Sequence, residues 1–173
     1  MARTFAAAGL LAVAMASGGS DLYACGDKSL SAGGIRMQRA LAARYPASIL
    51  IYAPPSSRLQ EAAHELRLQE TLRQVGHKYR DVTSLPDLQT AAATGQFNVV
   101  IADLADIPEL QRTLGPSSAR VAVVAVAYRL TKQETATAAK IFRLLIKVPT
   151  HAADYLRTIA DAVRTRPPSP RKA

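Results

Sequence analysis

Two charged side chains stand where apolar runs stop: Asp103 closes Val99-Val100-Ile101-Ala102, and Lys147 follows Leu144-Leu145-Ile146. A carboxylate and an ammonium delivered to the ends of buried segments can pair with each other or hold a ligand of opposite charge. The other reactive groups offer less. Cys25, after Leu22-Tyr23-Ala24, is the single cysteine, so an intramolecular disulfide framework and a cysteine-based zinc cluster are excluded. His64, His77 and His151 are scattered, and each reads as a surface or packing residue. Ser56 and Ser57 have no histidine or acid beside them, and helix capping accounts for both. Asp106 reads as a helix N-cap, with Pro108 two positions on and Glu109 completing a capping box. No G-x-G-x-x-G and no P-loop supplies a phosphate cradle. No cofactor, resident metal or enzymatic reaction is expected.

The elements that must position Asp103 and Lys147 alternate along the chain. Ser48 to Ala53 is a short β-branched run stopped by Pro54-Pro55, which predicts a buried parallel strand. Leu59, Ala62, Ala63, Leu66, Leu72 and Val75 then predict one amphipathic helix of about twenty residues, ended by Gly76. A second strand is expected at Lys78 to Thr83, a helix from Ser84 to Thr94, and a third strand at Phe97 to Ala102. A short helix from Asp106 to Thr113, a strand at Arg120 to Ala127 and a helix from Thr131 to Lys140 follow. The last pair is a strand at Phe142 to Lys147 and a helix capped by Thr150, with Pro167-Pro168-Ser169-Pro170 barring further helix. Such alternation implies an α/β fold: a doubly wound, five-stranded parallel sheet in a three-layer sandwich. Ligands of such sheets bind beyond the carboxyl ends of the strands, which singles out Ala53 to Pro55, Asp103, Ala125 to Tyr128, and Lys147. Tyr128 there could line a contact surface or be a partly buried edge aromatic.

This order of elements, with Asp103 after the third strand and Lys147 after the fifth, resembles the receiver domain of bacterial response regulators, a flavodoxin-like fold, over residues 48 to 165. The resemblance implies that Asp103 is phosphoacceptor-like and that Lys147 is the lysine that pairs with the phosphoryl group. Its other parts are replaced. Ala53-Pro54 stand where the family carries its magnesium-binding acidic pair, and Ala125 where it carries a Ser or Thr. Pro108 and Pro149 each fall one residue later than the family spacing. Magnesium needs hard oxygen ligands, and phosphoryl transfer depends on cations that neutralise developing charge. The expectation is therefore a degenerate pseudo-receiver in which Asp103 and Lys147 are left as an ion pair. The alternative is a cytoplasmic phosphorelay response regulator with Asp103 as acceptor.

The resemblance also implies a protein partner, or a second copy of the chain, on the surface of the fourth helix, fifth strand and last helix, residues 131 to 164. The net charge of +9, from 22 Lys and Arg against 13 Asp and Glu, would favour a phosphate backbone or an anionic membrane. Much of it is terminal: residues 164 to 173 carry four cations and no acid, and no aromatics are interleaved as a stacking platform. Nucleic acid is not expected as a partner. At the other end, Arg3, the uncharged stretch Phe5 to Ala16 and the small residues Ala14 and Ala16 have the layout of a signal peptide cleaved before Ser17. Leu22 to Cys25 offers a second reading, a lipobox with Cys25 lipidated as the membrane anchor; an Ala-rich helix is the third. The organisation expected is a leader (1–24), an extension (25–47) with a short helix over Ile35 to Tyr45, the receiver-like domain (48–165) and a basic Pro-rich tail (166–173). The leader points to the periplasm, as a free or lipid-anchored protein.

Overall fold

The computed structural model describes residues 32–115 and 120–165. Helix α1 (Ala32–Arg44) precedes β1 (Ser48–Tyr52), α2 (Leu59–Glu65), α3 (Leu68–Val75), β2 (Lys78–Val82), α4 (Leu85–Ala93) and β3 (Val99–Asp103). A 3-10 turn (Leu104–Asp106) leads into α5 (Ile107–Leu114), followed by β4 (Ala122–Tyr128), α6 (Lys132–Ile141), β5 (Leu145–Val148) and α7 (Ala152–Arg164). All strand pairs are parallel, in the order β2-β1-β3-β4-β5. This is the doubly wound, flavodoxin-like α/β arrangement expected from the alternation.

Burial explains which strand goes where. β1 and β3 are almost wholly buried and β4 largely so, which suits β-branched runs covered on both faces. β2, Lys-Tyr-Arg-Asp-Val, buries only Val82 and lies at one edge, where exposed charges blunt pairing with another chain. Ile49, Ile51, Val99, Ile101, Val124, Val126 and Ile146 face a core closed by α1, α2, α3 and α7. Leu50, Tyr52, Val100, Ala102 and Ala125 face a second core closed by α4 and α5. Among the described residues no helix is long and apolar enough to cross a membrane.

The predicted twenty-residue helix is two helices. Arg67 adopts a left-handed conformation (φ 46°, ψ 42°) between α2 and α3. Continued at 3.6 residues per turn, the stripe of Leu59, Ala62, Ala63 and Leu66 would turn Glu70 and Arg73 inward and Leu68 outward. The break resets the phase, so that Leu59 and Ala63 on one side and Leu68 and Leu72 on the other are all fully buried. Burying each leucine contributes roughly 1.5–3 kcal/mol, which outweighs the roughly 1–2 kcal/mol cost of a left-handed L-residue.

Two further boundaries differ. β5 starts at Leu145, because Phe142 ends α6 in an extended conformation and packs half-buried on the α4–α5 core. The extension helix starts at Ala32 and carries Ala42 into the opposite core.

Candidate functional site

The carboxyl edge of the sheet gathers the residues that could do chemistry. Asp103 closes β3 and its Oδ1 accepts a hydrogen bond from the Ala105 amide (3.1 Å), so the carboxylate caps the 3-10 turn. The capping role expected of Asp106 thus falls three residues earlier. Asp106 has helical backbone angles and makes no side-chain cap bond, since the turn has already begun before it. Its Oδ2 is buried without a hydrogen-bond partner. Burial first, then the neighbouring Asp103 and Glu109 carboxylates, push the Asp106 carboxyl above its ordinary range. Tyr52, at the end of β1, is raised by burial and by Asp106 and Glu109. This side of the edge is an acidic mouth, and among the described residues no group of three potential ligands is arranged to hold a metal ion.

The expected Asp103–Lys147 ion pair does not form. Asp103 pairs in register with Val126, and Val126 with Ile146, so these three side chains share one face of the sheet. Lys147 is one residue further along and projects from the other face, exposed beside the half-buried Leu145. The ion pairs among the described residues both lie within α7: Asp154–Arg157 (3.2 Å) and Asp161–Arg164 (2.8 Å). The residue that reaches the carboxyl end of β5 is Val148, followed by a cis Val148–Pro149 bond. Ala125 is likewise displaced from the edge: it is fully buried between Ala102 and Leu145, three residues before β4 ends.

β4 ends on Tyr128, which the strand-end rule singled out, and Arg129 follows it, which that rule did not. With Arg58, Glu61, Glu65 and Pro149 they line a cleft of about 490 Å³ beside α2. The Tyr128 hydroxyl is buried with no hydrogen-bond partner, and burial pushes its phenol far above the ordinary value, with Tyr155, Asp103 and Glu61 adding to the rise and Arg58 opposing it. Beneath it Tyr155 is fully buried, and burial alone pushes its phenol up to about 12. Arg129 is held at φ 49°, a left-handed conformation that turns the chain out of β4. None of Arg58, Glu61, Glu65 and Arg129 forms an ion pair with a described residue. No sequence motif marked this cleft, because its residues come from three distant loops and helices.

The remaining candidates are structural. Ser57 accepts from the Leu59 amide (3.1 Å) at the start of α2. His77 is buried, its Nδ1 accepts from the Ala47 amide (3.3 Å), and burial lowers its pKa. His64 is exposed on α2. His151 takes the N-cap position expected of Thr150, while the Thr150 hydroxyl donates to the Asp154 carboxylate. Cys25, the leader and the basic tail lie outside the described residues.

No family model matches the chain. No curated protein matches it in sequence. Among solved structures it is similar to a protein from Burkholderia pseudomallei described as pilus assembly-related, at 18% identity and a TM-score of 0.46, over 70% of this chain and 94% of that one.

Proposed function

We propose that the chain is a non-catalytic, receiver-like docking module that binds a protein partner through the surface of α6, β5 and α7. The observation that carries this reading is the separation of Asp103 from Lys147 onto opposite faces of the sheet. A carboxylate engaged in its own turn, with Ala53-Pro54 at the end of β1 and the lysine turned away, lacks the cations that phosphoryl transfer requires. Lys147 instead joins the docking surface.

The character of α6 supports that surface. Its single buried residue is Ala138, and Ile141 is 68% exposed beside Arg143. An exposed large apolar residue rimmed by charge, next to the open edge strand β5, suits a protein contact. The leader reading adds that the module works after export, free or anchored through Cys25. Co-purification from the native cell tests the docking surface. Arg143→Glu and Arg157→Glu should each reduce recovery of the partner, and undiminished recovery with both would overturn the assignment.

A further inference from the structure

We propose that the basic surface formed by α1, the end of α3 and the β2 edge docks on an anionic bilayer. Arg36, Arg39, Arg44, Arg73, Lys78 and Arg80 are all exposed, and none forms an ion pair with a described carboxylate. Hydrogen bonds bring them together. Arg39 Nε donates to the Gln74 carbonyl (2.8 Å), which ties α1 to the residue beside Arg73. The Lys78 amide donates to the Ala47 carbonyl (3.1 Å), which sets the start of β2 just past the end of α1. Arg73, Lys78 and Arg80 line one shallow concavity at that edge. Two acids stand on α3 and β2 beside these cations: Glu70, hydrogen-bonded to Gln74, and Asp81, whose carboxyl burial pushes upward. Arg36, Arg39, Arg44 and Arg73 lie on the side of the sheet that α1 and α3 cover, whereas Lys78 and Arg80 leave β2 on the Leu50 side and stand at the rim of the edge concavity, so four cations on the face and two at its rim outnumber the two carboxylates. β2 lies at the opposite sheet edge from β5, while α1 packs between α3 and α7.

Two observations favour a bilayer over nucleic acid. Met37 stands among these arginines at 62% exposure. A thioether gains nothing against phosphates, but loses its exposed apolar area in the headgroup and acyl boundary of a membrane, where basic side chains meet lipid phosphates. The aromatics nearby, Tyr45 and Tyr79, each already carry a guanidinium over the ring, Arg44 at 5.6 Å and Arg73 at 5.8 Å, which makes them poor platforms for stacking bases.

The test is sedimentation of the full chain with phosphatidylcholine vesicles, with and without phosphatidylglycerol. The ratio of the two affinities is the readout, since it cancels any contribution of the apolar N-terminal segment. The expected ratio is at least about tenfold at low salt, falling as salt rises. Arg36→Glu with Lys78→Glu should lower it about tenfold or more, and Met37→Ser should weaken binding several-fold without altering the salt dependence. Neither Arg36 nor Lys78 makes a side-chain hydrogen bond to a described residue, and circular dichroism checks the fold; should the pair unfold the chain, Arg36→Glu alone carries the test. A ratio near one, or a folded double variant that binds as the wild type does, overturns the proposal. Displacement from the vesicles by duplex DNA at equal phosphate concentration also overturns it, in favour of a nucleic-acid surface.

Discussion

Asp103 and Lys147 leave the sheet on opposite faces, one residue out of phase across β3, β4 and β5. Asp103 shares its row with Val126 and Ile146, whereas Lys147 shares its row with Ala127. The side-chain period of a strand is two, so no rotamer change brings an ammonium on one face to a carboxylate on the other.

That separation predicts silence toward phosphodonors. Incubation with a small-molecule phosphodonor and magnesium should leave the intact mass unchanged. A hydroxylamine-labile adduct that disappears in Asp103→Asn would restore the phosphoacceptor reading. Asp103→Ala should nonetheless destabilise the fold by about 0.5–2 kcal/mol through loss of the cap on Ala105, while Lys147→Ala should stay within about 0.5 kcal/mol. Urea unfolding measures both.

The left-handed Arg67 predicts a gain from glycine. Arg67→Gly relieves the crowding of Cβ but gives the unfolded chain more freedom, and the balance is a stabilisation of about 0.5–1 kcal/mol. Arg67→Val should lose stability, because a β-branched side chain is the worst fit to that conformation. Thermal melts of the two variants should move in opposite directions.

Asp106 predicts a pH-dependent stabilisation. Its folded-state carboxyl is raised above the ordinary 3.8, so the stability it contributes is present below that value and is lost as pH rises through the folded value. At neutral pH the buried carboxylate therefore opposes folding. Asp106→Asn should stabilise the protein at pH 7 by a fraction of about 1 kcal/mol, discounted for its partial exposure, and the gain should vanish below pH 3.8.

His77 acts in a higher window. Burial lowers its folded-state pKa below the ordinary 6.5, so the unfolded chain takes up the proton first, and stability falls as pH drops below 6.5 until the folded value is passed. His77→Asn keeps an acceptor for Ala47 and removes the titration. Its stability should change less between pH 7 and pH 5 than that of the wild type.

Much of the fold was legible in the sequence, and the site was legible only in part. β1, β3 and β4 were readable because strands buried on both faces must be continuously apolar, and α4 because Ser84 and Pro86 mark a helix start; Ser84 does accept from the Asp87 amide. The break at Arg67 was hidden, since an arginine in a left-handed turn carries no local signal, unlike the Gly76 that ends α3. The same holds for Arg129 and the cleft it lines. Lys147 was expected at the end of the fifth strand but sits one residue before it, and its face follows from its register with Ala127, which no local sequence signal sets. The lateness of Pro149 by one residue was the available sign of that shift.

Docking without phosphoryl chemistry, as proposed, can be tested in one experiment. Quantitative co-purification from the native cell compares the wild type with Asp103→Asn and with Ile141→Asp combined with Arg143→Glu. Ile141 and Arg143 are exposed, so the double variant should stay within about 0.5 kcal/mol of wild-type stability. Asp103→Asn should recover the partner as the wild type does, while the double variant should lose it. Loss of the partner in Asp103→Asn, with the α6 variant still binding, would overturn the docking proposal.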